Sequence, residues 1–233
     1  MHKTRVAVVL SGCGVFDGAE IHEAVLTLLA LDRADCEVEC LAPDVPQMHV
    51  VDHRSGEVTG ETRNVLTESA RIARGRVADI ADAEATRFDA VILPGGFGAA
   101  KNLCDFATVG EKARVEPHTA RFLAAAIAAG RPIGAACIAP AVLAALLREH
   151  GRSGEVTVGT RGAEAAAIER MGVVHVPCAV DATHFDAKNG IVTTPAYMSA
   201  MSISEAARSI DALVDAVLDR VPSRRRARSG TTR

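Results

Sequence analysis

The sequence predicts an α/β fold in which a mostly parallel β-sheet carries helices on both faces, and three observations predict it. Short β-rich runs alternate with helical patterns along the chain. Two of those runs, residues 5–10 and 90–93, are apolar nearly throughout, as strands buried on both faces are. A third run, Ile133-Gly134-Ala135-Ala136-Cys137-Ile138-Ala139-Pro140, turns from a strand into an alanine- and leucine-rich helix with a cysteine at the junction. In a chain of 233 residues a single core can still grow. One domain over residues 1–221 is therefore expected, followed at 222–233 by a disordered basic tail containing Arg224-Arg225-Arg226-Ala227-Arg228.

Taken in order, the first strand (5–10) runs into Ser11-Gly12-Cys13-Gly14-Val15-Phe16-Asp17-Gly18. The G-x-G-x-x-x-G spacing of this loop has one residue too many for a dinucleotide-binding turn. A helix at 20–31 follows, with Glu20 and Glu23 three residues apart at its opening, where the helix dipole favours negative charge. Glu20 reads as the cap and Glu23 as a carboxylate facing the end of the sheet. The strand at 37–42 carries Glu37 and Glu39 and so lies near a sheet edge, with Cys36 and Cys40 facing inward. The connection 43–64 holds a small hairpin at 50–59, and connections of such length often line a site or an interface. A helix at 65–74 precedes the strand at 90–93 and its turn, Pro94-Gly95-Gly96. Then come a helix at 117–129, a strand at 132–136, a helix at 141–148 opened by Pro140, a strand at 155–158, a helix at 163–171 and a strand at 191–194. The last helix, 202–218, opens with the capping-box pattern Ser202-Ile203-Ser204-Glu205.

Hydrophobic residues make up 48% of the chain and aromatics 3%, so the core must be built from Ala, Val, Leu and Ile, and a base-stacking platform is disfavoured. A net charge of -3 gives no overall basic footprint for a polyanion. The start of the chain has no secretory-leader pattern and no apolar run is long enough to span a bilayer, so a cytosolic protein without nucleic-acid or membrane partners is expected. The six cysteines form no C-x-x-C pair, and His49 and His53 sit four apart in strand-like sequence, so neither metal nor cofactor is implied.

The chemistry converges on the ends of the strands, where open α/β sheets bind ligands. A side chain on a sharp strand-to-helix turn stands above the sheet, and its neighbours two positions away must be small, as Ala135 and Ala139 are. The unsatisfied N–H groups of the following helix favour a thiolate at Cys137. Motif shape alone leaves a second reading open, a buried cysteine acting as a small hydrophobe. The glycine pair after the strand at 90–93 can expose backbone N–H groups, so Gly96 together with Cys137 or Ile138 makes a candidate oxyanion hole. The segment Thr193-Thr194-Pro195-Ala196-Tyr197 brings the chain's one tyrosine to the same end of the sheet as a pocket wall.

Together, Gly18-Ala19-Glu20-Ile21-His22-Glu23, Leu93-Pro94-Gly95-Gly96 and Ala135-Ala136-Cys137-Ile138-Ala139-Pro140 resemble the ThiJ/PfpI superfamily of class I glutamine amidotransferase-like folds. The loop Ser11 to Gly18, with Gly60-Glu61-Thr62-Arg63-Asn64-Val65-Leu66 and Val192-Thr193-Thr194-Pro195-Ala196-Tyr197-Met198, resembles the ElbB subfamily within it. The resemblance implies a flavodoxin-like three-layer α/β/α sandwich, a homodimer, and a low-pKa nucleophilic cysteine hydrogen-bonded to a protonated glutamate, which map to Cys137 and Glu23. It further implies a cofactor-independent glyoxalase acting on small dicarbonyls, converting glyoxal to glycolate without glutathione, alongside the deglycase activity described for several superfamily members. The chain departs from protease-like and many glyoxalase-like relatives, which place a histidine directly after the nucleophile or beyond the next strand. Here those positions hold Ile138 and Val158-Gly159-Thr160; His175 and His184 are available but leave no obvious third member of a triad, which argues against peptidase and glutaminase activity. The same pair has another reading, a non-catalytic redox sensor or chaperone-like dimer in which Cys137 is oxidised to sulfinic acid beside Glu23.

Overall fold

A computed structural model describes residues 3–222, so the arginine-rich tail expected from sequence lies outside the described residues apart from Pro222. In chain order the elements are β1 (Arg5–Val9), α1 (Ile21–Arg33), β2 (Glu37–Ala42), α2 (Val65–Ile72), β3 (Val77–Asp79), β4 (Ala90–Leu93), α3 (Phe97–Lys101), α4 (Phe106–Val109), α5 (Pro117–Ala128), β5 (Ile133–Ala136), α6 (Pro140–Glu149), β6 (Glu155–Val156), α7 (Ala163–Arg170), β7 (Val174–His175), β8 (His184–Asp186), β9 (Ile191–Thr194) and α8 (Ile203–Leu218). Seven strands form one sheet in the order β3-β2-β1-β4-β5-β9-β8, parallel except for the antiparallel edge strand β8. β6 and β7 pair separately. Helices α1, α2 and α8 pack on one face and α5 and α6 on the other, the three-layer α/β sandwich that right-handed crossovers produce when the chain winds outward both ways from β1.

The central strands are apolar because both their faces are covered: Val6 to Leu10 and Ala90 to Leu93 are at most 1% exposed. Gly134 in β5 lets α8 lie close, since a Cβ there would sit 2.8 Å from a Val217 methyl. Helix α6 is buried along Pro140 to Leu147, which explains why its sequence is apolar all round rather than striped. Helix α8 is capped by Ser202, whose Oγ accepts from the Glu205 N–H, while the Glu205 carboxylate reaches the N–H of Met201, one residue ahead of the cap itself.

Three strands and two helices depart from the sequence reading. β3, β7 and β8 are two or three residues long and include charged or titratable side chains, so they carry no apolar run to reveal them. α3 and α4 are single turns in a glycine-bearing stretch. The expected hairpin is present as the Val51–Val58 bridge, closed by the Asp52 N–H to Glu57 O and the Thr59 N–H to Val50 O. It folds back on the glycine loop after β1, where Phe16 N–H donates to His53 and Val51 N–H donates to Asp17. Within that loop Gly12, Gly14 and Gly18 donate to Ser69 Oγ, Ala19 O and Gly14 O, so these N–H groups are engaged inside the protein.

Candidate active site

Four segments meet beyond the carboxyl ends of β1, β4, β5 and β9. The chain winds to opposite sides of the sheet from β1 and β4, so the site lies at the topological switch point. At the end of β5, Cys137 adopts φ +59°, the left-handed backbone of a nucleophile elbow. Its N–H donates to Thr194 O at 3.0 Å, continuing the β5–β9 ladder. That bond takes the Cys137 N–H out of the candidate oxyanion hole. The residue remains 8% exposed, and Ala135 and Ala139 beside it are fully buried, as the tight turn requires.

Glu23 reaches the sulfur from the first turn of α1. Glu20 caps that helix, its Oε2 accepting from the Glu23 N–H at 2.7 Å, which divides the two carboxylates into one structural and one free for the site. Glu23 is completely buried; its Oε2 accepts from Gly95 N–H at 2.9 Å and its Oε1 from Tyr197 N–H at 3.0 Å, and its carboxyl is hydrogen-bonded to the Cys137 side chain. Gly95 is wedged against that pair. A Cβ at residue 95 would collide with the Cβ of Cys137 and lie 2.5 Å from Glu23 Oε2 and 3.0 Å from Sγ. Tyr197 presents its N–H because Ala196 holds φ +43°, fixed in turn by Ser209 of α8, whose Oγ accepts from Ala196 N–H at 3.0 Å and lies 2.8 Å from Thr194 Oγ1.

The backbone N–H groups of Gly96 and Ile138 both point at Sγ. Gly96 and one of the two alternatives for its partner, Ile138, are thus the expected donors that face the sulfur. Burial raises the Glu23 carboxyl to about 7, a rise opposed by the Tyr197 and Gly95 N–H groups. Burial also pushes the Cys137 thiol well above its usual value, and the Glu23 charge adds to this against the two N–H donors. Both effects run against the helix N-terminus, which favours the thiolate expected from sequence. Two contacting anions in a dry site repel strongly, so the pair does not lose both protons near neutral pH.

Neither histidine considered from sequence joins the pair. His184 Nε2 is bonded to Glu155 Oε2 at 2.9 Å, and His175 is buried in β7. Gly159, in the segment where a triad histidine was expected and not found, has φ +98°, and a Cβ there would lie 2.5 Å from Ser199 Oγ. A side chain at this position would be strained by its backbone and would need Ser199 to rotate away. His22 instead lies at the mouth, its Nδ1 2.8 Å from the Tyr197 hydroxyl. Gly95, Ser209 and His22 were not recognised from sequence, and Tyr197 contributes its backbone N–H rather than only a wall. Among the described residues no cluster of three His, Cys, Asp or Glu side chains could hold a metal, and no helix is long and apolar enough to cross a membrane.

A cysteine on a nucleophile elbow, paired with a buried glutamate on a flavodoxin-like sheet, defines a class of protein, and sequence comparison agrees. The chain belongs to the DJ-1/PfpI family, whose model matches residues 6–161 and so includes Glu23, Gly95, Gly96 and Cys137. It is 49% identical over 225 residues to the human mitochondrial protein named glutamine amidotransferase-like class 1 domain-containing protein 3, covering 92% of this chain and 82% of that one. It is 34% identical over 212 residues to the zebrafish (Danio rerio) mitochondrial ES1 protein, covering 84% and 77%. Among solved structures, an isoprenoid biosynthesis protein with an amidotransferase-like domain from Ehrlichia chaffeensis superposes with a TM-score of 0.85 at 39% identity, over 92% of this chain and 99% of that one. The mitochondrial relatives overturn the cytosolic expectation, which rested on the lack of secretory and membrane-spanning patterns; those patterns do not report on organelles.

Proposed function

We propose that this protein is an ElbB-like, cofactor-independent glyoxalase acting on small dicarbonyls. The observation that carries the reading is the buried Glu23–Cys137 contact, in which a carboxyl raised to about 7 touches the thiol. A general base works best when its pKa lies near the working pH. Family membership agrees with this coarser reading, since the DJ-1/PfpI family includes glyoxalases as well as peptidases.

In this reading Glu23 takes the thiol proton as Cys137 Sγ adds to one aldehyde carbon of glyoxal, forming a C–S bond and a hemithioacetal oxygen anion. The Gly96 and Ile138 N–H groups, which face the sulfur, stand next to the carbon it attacks and can follow the negative charge from sulfur to that oxygen. Glu23 returns its proton to the oxygen and, as a carboxylate again, removes the hydrogen from the sulfur-bearing carbon to give an enediol. It delivers that proton to the neighbouring carbon. One carbon is thereby oxidised to a thioester and the other reduced to an alcohol, so no external oxidant or reductant is needed. Water then hydrolyses the thioester, releasing glycolate and the thiol.

The test is glycolate formation from glyoxal by purified protein, followed by proton NMR. Cys137→Ser should abolish turnover, and Glu23→Gln should lower it by about a hundredfold or more. Full glyoxal consumption by Cys137→Ser would overturn the reading. If wild type made no glycolate while Cys137 alone gained two oxygens under dilute peroxide, the redox-sensor reading would replace it.

A further inference from the structure

The reaction above uses the backbone N–H of Tyr197 and leaves its side chain without a chemical role. That side chain has a definite partner, because its hydroxyl lies 2.8 Å from Nδ1 of His22, with the ring centroids 5.9 Å apart. His22 and Glu23 are consecutive residues in the first turn of α1. Tyr197 is therefore tied to one helical turn at two points, by its N–H to Glu23 Oε1 at 3.0 Å and by its hydroxyl to the neighbouring imidazole. The two N–H groups that hold the Glu23 carboxyl differ in how firmly they are placed. Gly95 N–H belongs to backbone packed directly against Cys137 and Glu23. Tyr197 N–H belongs to the short turn Ala196–Met198, entered through the φ of +43° at Ala196. In a residue other than glycine such a conformation persists only when its surroundings hold it.

The phenol can supply that hold whatever the state of the imidazole. Burial and the Glu20 and Glu23 carboxylates push its ionisation above the usual range, so it keeps its proton at neutral pH. It can then donate to a bare Nδ1 or accept from Nδ1–H, and the contact survives either charge state of the ring.

We propose that His22 is a positioning residue for Glu23: its ring holds the Tyr197 hydroxyl, which keeps the Tyr197 N–H on Oε1 and so favours the carboxylate form of Glu23. A carboxylate is stabilised by each N–H aimed at it, and a donor free to swing away stabilises it less. The charged and titratable groups acting on Glu23 are Glu20 on its own helix and Cys137 on the elbow, with Tyr197 facing it from the turn after β9. The inference rests on the glyoxalase reading for the use to which that carboxylate is put, taking first the thiol proton and then the proton on carbon.

The test is the pH dependence of Cys137 alkylation by iodoacetamide, read by mass spectrometry of the Cys137 peptide so that the other cysteines do not interfere. In His22→Ala and in Tyr197→Phe the inflection near pH 7 should move upward by about half a pH unit or more, because the carboxylate loses a fixed donor. The double variant should show the shift of either single variant rather than their sum, since both changes break one contact. His22→Asn, whose amide can stand where Nδ1 does, should return the inflection to its wild-type position. An inflection unmoved in both single variants, shifts that add in the double variant, or a wild type with no inflection near pH 7 would each overturn the inference. Glycolate formation from glyoxal, measured over the same pH range, separates it from the glyoxalase reading. A wild type that makes no glycolate while the alkylation shifts are present would remove that reading and leave His22 as the positioning residue.

Discussion

Glu23→Gln probes the energetics of the site as well as its chemistry. Glu23 rises from an ordinary 4.5 to about 7 because it is buried, so the folded protein binds this proton more tightly than the unfolded chain does. The stability associated with the protonated carboxyl is therefore complete below about pH 4.5 and is lost as pH rises through about 7. A gap of about 2.5 pH units at 1.36 kcal/mol each is on the order of 3 kcal/mol, of which about 2 kcal/mol disappears between pH 5 and 7.5. Glutamine does not titrate, but it has one carbonyl oxygen where Glu23 offers two acceptors to the Gly95 and Tyr197 N–H groups. One of those N–H groups is then left without a partner, at about 1–3 kcal/mol. At pH 5 the variant should thus be less stable than wild type by that amount, and by pH 7.5 the two should be level or inverted. Urea unfolding followed by circular dichroism at pH 5, 6, 7 and 7.5 measures the difference, and groups common to both proteins cancel. A difference that stays constant within about 0.5 kcal/mol across this range would show that Glu23 does not titrate near neutrality and would remove it as the general base.

Two further substitutions test the framework around the pair. Gly95→Ala forces a methyl group against the Cβ of Cys137 and Oε2 of Glu23, so it should cost about 1–3 kcal/mol in urea unfolding and erase the inflection near pH 7 in the rate of Cys137 alkylation by iodoacetamide. Unchanged alkylation kinetics would mean that the carboxyl does not control the sulfur. Ser209→Ala leaves the Ala196 N–H unpartnered at about 1–3 kcal/mol and loosens the turn that presents Tyr197 N–H to Glu23. Losing a donor to the carboxylate should move the alkylation inflection upward, and an inflection that stays in place would confine Ser209 to a purely structural role.

The parts that were legible in the sequence are those whose function depends on side-chain size or type over consecutive residues. The elbow needs small residues on both sides of Cys137, and Ala135 and Ala139 stand there in plain view. The buried strands show themselves through unbroken apolar runs. Gly95 read only as a turn because its role depends on how near α1 brings Glu23 to the elbow, a distance set by tertiary packing. Tyr197 acts through a main-chain N–H, which any residue except proline could supply, so its identity carried no signal for that role. The electrostatics of the pair are hidden in the sequence for a similar reason. The helix dipole follows from the sequence, but burial of a sulfur against a carboxylate appears only when the chain is folded.

The absence of a triad histidine has a structural basis that bears on the chemistry. At Gly159 the positive φ strains any side chain, so in the proposed reaction proton transfer at the elbow falls to Glu23. Amide cleavage needs a base for the nucleophile and an acid placed at the departing nitrogen. A carboxyl held by two N–H donors at the sulfur cannot readily swing to a leaving group on the far side of the carbon. Exchange of a proton between two adjacent carbons makes no such demand, because both stay within reach of one fixed carboxyl after the sulfur has bonded. In the proposed reaction, the rigidity that disqualifies Glu23 for amides suits it to a dicarbonyl, and one proton exchanged through Glu23 runs the sequence.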